Sequence, residues 1–156
     1  HGWKYSPSWN QLVFIFKDQE GEVEAWQARN FNEGKTKYFS QGPLNDILPI
    51  FQTSERFLEG SQPRRLVVVE DVVSAAKIAR QSDAMPCLGS HLPVRKINAL
   101  KRLYSSLIVW LDHDKWKEAC EIADKAKWLG MSARVIYSEG DPKEYSDDEI
   151  KIEITS

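Results

Sequence analysis

The chain has little cysteine. Cys87 and Cys120 are its only two, and they match no metal or redox spacing. A zinc ribbon or a Cys-x-x-Cys redox motif is therefore excluded within these residues. Cys120 lies in an apolar helical pattern and is expected as a small buried hydrophobe. With cysteine used this way the cytosol is the expected compartment, the host cytoplasm if the origin is a phage. Long apolar runs are missing too. None approaches the roughly 18–20 residues of a membrane span, and there is no secretory n-region and h-region, so no membrane partner is expected. Nor is there an excess of positive charge. Lys and Arg total 21 against 23 Asp and Glu, a net charge of −2. That argues against coating nucleic acid by bulk attraction, but not against a local basic groove. There is no starting Met: the chain opens with HGW, as expected of an excised fragment with His1 a scar. Internal repeats and low-complexity segments are also lacking.

What is present is 156 residues, enough for one ordinary domain or two small lobes, with six tryptophans as core material. Charge is uneven. Lys35, Lys37, Arg64, Arg65, Arg95, Lys96, Lys101 and Arg102 fall in the first two thirds, whereas Glu139 to Glu153 is acidic and is expected to be a solvated end. QLVFIF (11–16) reads as a strand, DQEGE as a hairpin turn with Gly21 supplying the unusual backbone angles, VEAWQARNF as the return strand and TKYFS as a third, so residues 10–40 read as an antiparallel meander. GPLNDILPIF is a connector with one helical turn, and SERFLEGSQP a polar linker.

The pattern changes at Arg65. LVVVE (66–70) is a short continuous apolar run, the mark of a strand buried on both faces. Residues 71–82 have a helical period, with Val72, Val73, Ala76, Ile78 and Ala79 apolar. MPCLG (85–89) is a second strand. Ser90 can cap a helix that holds Pro93 in its early turn and buries Ile97, Leu100 and Tyr104. LIVWLD (107–112) is a third strand, and KWKEACEIADKAKWLG (115–130) an amphipathic helix with Trp116, Ala119, Cys120, Ala123 and Ala126 on one side and Gly130 as its stop. ARVIYS (133–138) is a fourth strand. The order βαβαβαβ predicts an α/β fold, a parallel sheet flanked by helices and preceded by a small antiparallel β lobe.

In such a sheet ligands bind beyond the carboxyl ends of the strands. The first strand ends in Glu70-Asp71, the third in Asp112-His113-Asp114, and the fourth is followed by Glu139-Gly140-Asp141. If the backbone stays extended past Leu111, Asp112 and Asp114 point to one side. Gathered carboxylates repel each other, so either they hold protons or a cation sits among them. Carboxylate oxygens without His or Cys suit a hard ion, Mg²⁺ above all. Asp71, at a helix start, is read first as a cap, with metal ligation as the alternative. His113 is expected to face away from its neighbours, and Glu139 to face solvent.

Four stretches, in order, are similar to a known family. LVVVED (66–71) and VWLDHD (109–114) match its Glu at the end of the first strand and its Asp-x-Asp at the end of the third. CLGSHLP (87–93) resembles its Leu-Gly-Thr/Ser turn, and GDPKEY (140–145) the Lys-Asp-Pro-Asp-Asp stretch that closes the primase version. Residues 66–150 thus resemble the TOPRIM domain shared by DnaG-type primases, phage primase-helicases, type IA and type II topoisomerases and some nucleases. KDQEGEVEAWQAR (17–29) and GKTKYFSQG (34–42) resemble pieces of the lobe that precedes TOPRIM in primases.

The resemblance implies a lobe over residues 1–63 and a TOPRIM domain over 64–156. It also implies Mg²⁺-dependent synthesis of RNA primers from ribonucleoside triphosphates on a single-stranded DNA template, with Mn²⁺ able to substitute and a replicative helicase as a further partner. Glu70, Asp112 and Asp114 would be catalytic and would hold metal, with Asp141 completing the acidic cluster. Arg29, Lys35, Lys37 and Lys115 would meet nucleotide phosphates or template. The chain departs from the pattern in places. Asp71 directly follows the Glu, where many primases continue Gly-Tyr-x-Asp, and this suggests a phage or plasmid primase. Lys115-Trp116-Lys117 replaces the usual Lys-Ala-Gly. A zinc-ribbon module, much of the polymerase lobe and any helicase domain are not in these residues. Two other classes stay open: a TOPRIM nuclease, and a catalytically inactive domain that binds DNA or a replication partner. A topoisomerase would need a second domain with a catalytic tyrosine.

Overall fold

A computed structural model describes residues 2–18, 20–53, 64–88 and 91–156. The chain divides into two compact units between Pro49 and Ile50. The first is an antiparallel sheet of β1 (Gly2–Ser6), β2 (Gln11–Lys17), β3 (Val23–Asn30) and β4 (Tyr38–Gln41), in that spatial order. Phe14 and Phe16 of β2 and Ala25 and Ala28 of β3 form its core. The turn between β2 and β3 is closed by Asp18, whose Oδ1 accepts from the Glu22 amide at 2.8 Å, while Gly21 takes φ +89°. β1 is a fourth strand that the alternation from residue 10 onward did not include. It pairs with β2 from Gly2–Ile15 to Ser6–Gln11. Leaving β4, Gly42 takes φ +95°, and a Cβ there would lie 2.5 Å from the Glu24 carbonyl oxygen. Only glycine fits a backbone both left-handed and this closely approached. The connector makes its single turn at Pro43, whose carbonyl accepts from the Asp46 and Ile47 amides. The polar linker lies outside the described residues.

The second unit is built on β5 (Arg65–Val69), β6 (Ala84–Pro86), β7 (Ser106–Val109) and β8 (Ser132–Val135), all parallel, in the order β6-β5-β7-β8. Leu66 to Val69 are wholly buried because helices cover both faces. On one side α1 (Val72–Ile78) and α4 (Asp147–Thr155) pack on Val67, Val69, Ile108 and Trp110 through Ala75, Ile78, Ile150 and Ile154. On the other, α3 (Trp116–Trp128) packs on β7, β8 and α2 (Val94–Lys101). α2 starts after Pro93 with no side-chain cap. Ser90, the expected cap, lies outside the described residues.

Three expectations change. The acidic end is not simply solvated: it forms a 3-10 turn, Pro142–Glu144, and then α4, whose Ile150 and Ile154 are buried one turn apart. Its acids mark a helix start rather than a tail. Asp147, Asp148 and Glu149 occupy the first turn, where negative charge meets the positive end of the helix dipole, and Ser146 and Glu149 form a reciprocal cap. Second, the buried stripe of α3 is Ala119, Ile122, Ala123 and Ala126; Trp116 is exposed and Cys120 only half-buried. Trp116 instead meets the exposed Tyr137 edge to face. Third, α1 buries Val72, Ser74, Ala75 and Ile78, so its inner face is rotated from the apolar stripe. No helix among the described residues is long and apolar enough to cross a membrane.

Candidate functional site

β5 and β7 are neighbours, and their parallel direction brings Glu70 and Asp112 to the same edge of the sheet. Asp71 caps α1: its Oδ1 accepts from the amides of Val73 and Ser74 at 2.8 and 2.9 Å. Its Oδ2 turns to the Lys143 ammonium, 3.5 Å away. β7 ends at Val109, and the chain passes through Trp110 and Leu111 to Asp112 before folding into a 3-10 turn, His113–Lys115. The extended backbone that would point Asp112 and Asp114 to one side is therefore interrupted. The Asp112 side chain is 19% exposed and that of Asp114 76%. The two aspartates differ in burial because a turn, not a strand, separates them. His113 is exposed, and its Nδ1 lies 3.0 Å from the Ser138 carbonyl oxygen, on the loop after β8. Glu139 is exposed.

Asp141 stands at the start of the 3-10 turn that carries Lys143. The loop leading there is pinned from below. Buried Trp110 donates through Nε1 to Ser138 Oγ at 2.7 Å, and that hydroxyl donates to the Gly140 carbonyl at 2.8 Å. Lys143 then reaches into the acids. Its Nζ hydrogen-bonds Asp141 Oδ2 and lies 3.6 Å from Asp112 Oδ2. Burial alone would pull this ammonium down. The hydrogen bond to Asp141 and the charges of Asp71, Asp112 and Asp141 outweigh that and hold its pKa above the ordinary value. Sequence reasoning missed Lys143. The signal was in GDPKEY, where a lysine stands two places after Asp141 and the similar primase stretch has an acid.

The opposite side of the cluster lacks hydrogen-bond partners. Glu70 Oε2 and Asp112 Oδ1 are buried and have no hydrogen-bond partner. Glu70 is pushed above the usual carboxylate range by burial and then by Asp112, with Asp114 and Asp71 adding to this and Lys115 opposing it. Asp112 is raised by burial, against the pull of Lys143. Lys115 is thus close enough to act on Glu70, and it also lies 3.7 Å from Asp114. The structure brings together Glu70, Asp112, Asp114, Asp141 and Lys115. The other predicted residues belong to the first unit. There Arg29 donates to the Tyr38 hydroxyl at 2.8 Å and lies over the rings of Phe31 and Tyr38. Lys37 lies over the Tyr38 ring, and Lys35 is exposed in the turn between β3 and β4.

Among the described residues, no three side chains of His, Cys, Asp or Glu form a ready metal cage. Asp114 faces outward and Lys143 stands between Asp71, Asp112 and Asp141, which accounts for this. A smaller demand does fit. Mg²⁺ commonly takes one or two carboxylates and completes its shell with water and substrate phosphate. Two orphaned oxygens on adjacent strand ends, Glu70 Oε2 and Asp112 Oδ1, are suitable donors.

No protein-family model matches the chain, and no curated protein matches it. Solved structures do. A DNA primase domain from Pseudomonas aeruginosa superposes with a TM-score of 0.70 at 18% identity, covering 99% of this chain and 56% of that one. The zinc-binding and RNA polymerase domains of the Aquifex aeolicus primase give 0.72 at 16%, covering 93% and 38%. The primase fragment of the bacteriophage T7 primase-helicase gives 0.63 at 14%, covering 98% and 64%. A DnaG primase catalytic domain bound to single-stranded DNA gives 0.71 at 20%. The chain thus spans less than two thirds of each of the first three. It has the mixed α/β fold of the DnaG-type primase catalytic core.

Proposed function

We propose that this chain is the catalytic part of a DNA primase with a TOPRIM-type site, acting in phage or plasmid replication and joining ribonucleotides on a single-stranded DNA template. The observation that carries the reading is the pair of buried, unpartnered oxygens Glu70 Oε2 and Asp112 Oδ1, on adjacent strand ends of a primase-core fold. Glu70 and Asp112 would hold Mg²⁺, with Mn²⁺ as a substitute and Asp114 contributing from the margin. Bound there, the ion would neutralise charge on the triphosphate. Lys115, beside Glu70 and Asp114, adds a positive charge where phosphates would arrive. Within the first unit, Arg29, Lys35 and Lys37 are the basic groups that would meet template or nucleotide phosphates. Arg29 is held in place by Tyr38, so it meets a phosphate at little cost in side-chain freedom. Most of the catalysis is positioning and charge neutralisation. A primase-like chain has two natural partners: single-stranded DNA, as in the DNA-bound neighbour, and a helicase, as in the primase-helicase.

The test is one gel. End-labelled single-stranded DNA, labelled ribonucleotides and Mg²⁺ or Mn²⁺ are incubated with the protein and with Asp112→Ala. Short RNA products that fall by about 10²–10⁴ in rate in a folded mutant are expected. Shortened DNA without RNA would replace the reading with a nuclease. No product from this chain or from a longer one would leave a DNA-binding domain.

A further inference from the structure

Lys143 ties together acids that three different strand ends deliver. Its ammonium lies 3.5 Å from Asp71 Oδ2 and 3.6 Å from Asp112 Oδ2, and it hydrogen-bonds Asp141 Oδ2. Its side chain is only 18% exposed. A mostly buried ammonium is costly unless acids surround it, so the position is set by the cluster rather than by solvent. The turn that bears it does not require a lysine: the turn is stabilised by Pro142 at its start and by Glu144 Oε2, which accepts from the Asp141 amide. Asp112 is divided between two environments. Its Oδ2 faces Lys143, whereas its Oδ1 is buried without a partner, as is Glu70 Oε2. Sites for phosphoryl transfer can hold two cations about 3.5–4 Å apart, sharing ligands between them. Here a side-chain cation already stands on one side of the shared carboxylate.

We propose that Lys143 is a built-in cation occupying one of two cation positions, so that this chain binds a single divalent ion, on the Glu70–Asp112 side. Asp141 then serves to hold the lysine rather than a metal. The inference rests on the metal-dependent reading above, and its test separates the two. Mn²⁺ alone is titrated into the full chain, and bound ions are counted by electron paramagnetic resonance. One ion is expected in the wild type, none in Asp112→Asn, and two in Lys143→Asp, which exchanges the ammonium for another ligand. Two ions in the wild type overturn the role of Lys143 and leave the metal-dependent reading standing, as does a folded Lys143→Asp that still binds one. No ion in the wild type overturns both. Lys143→Met guards against misfolding of the aspartate variant. Having lost its internal cation, it is expected to gain more in melting temperature from Mn²⁺ than the wild type does. An equal gain in the two proteins overturns the inference.

Discussion

In the second sheet, Leu66 to Val69 and Leu107 to Val109, on the two central strands, are buried on both faces. In the first sheet, Phe14 and Phe16 are buried, yet Trp3 and Tyr5 stand exposed on the neighbouring β1 and Phe39 on the edge strand β4. The contrast decides where each unit can do chemistry. A parallel sheet between two helix layers has no free face, so its acids stand beyond the carboxyl ends of the strands, and topology brings Glu70, Asp112 and Asp141 there from distant parts of the chain. An antiparallel sheet displays side chains along its length. Its basic group is arranged by register: Arg29 lies opposite Tyr38 across β3 and β4, and the two hydrogen-bond.

If this contrast holds, truncating a buried side chain of the second sheet should outweigh truncating an exposed side chain of the first. Trp110 is the sharpest case. It is fully buried, stacks edge to face on Tyr145 and holds Ser138. Trp110→Ala should cost about 3–5 kcal/mol in urea unfolding. Trp3→Ala should stay within about 0.5 kcal/mol. Comparable losses for both would mean that Trp3 is covered in solution.

The first unit should break at its backbone instead. Gly42→Ala adds a Cβ against the Glu24 carbonyl and keeps a positive φ, which should cost about 1–3 kcal/mol. Urea unfolding of the variant beside the wild type measures it. An unchanged midpoint would show that the exit from β4 is not as tightly held as its geometry requires.

A smaller effect is expected at α4. Ser146 Oγ accepts from the Glu149 amide, so Ser146→Ala should cost about 1 kcal/mol, read as a shifted urea midpoint. This helix also shows how far the sequence could be read. Leu66–Val69 announced a buried strand because every residue is apolar, and Glu70 and Asp112 followed as acids at strand ends. In 146–155 the acids of the first turn hid a helix that buries only Ile150 and Ile154. The outward turn of Asp114 depended on the backbone leaving the extended form after Asp112, which no residue pattern there declares. Lys143 was illegible for a different reason. Its three partners lie at residues 71, 112 and 141, and only the fold makes them neighbours.

The smallest effect should have the opposite sign, and it sharpens the contrast within the site itself. Glu70 is held above the usual carboxylate range, first by burial and then by Asp112. A carboxyl raised in this way keeps its proton more readily in the folded chain than in the unfolded one. The folded state therefore gains from it at acid pH, and that gain is lost as pH rises through the folded value. Glutamine cannot ionise. Metal-free Glu70→Gln should match the wild type below the ordinary carboxylate range and melt at a higher temperature at neutral pH. The difference will be modest, because Glu70 is only half-buried and solvent screens it. Melting curves at several pH values, with chelator present, measure it. A stabilised, inactive Glu70→Gln would mark the Glu70 side as held ready for a cation, in contrast to the Lys143 side, where an ammonium already stands among the acids. A variant less stable than the wild type at neutral pH would mean that Glu70 has a partner in solution, and the oxygen assigned to a metal would be taken.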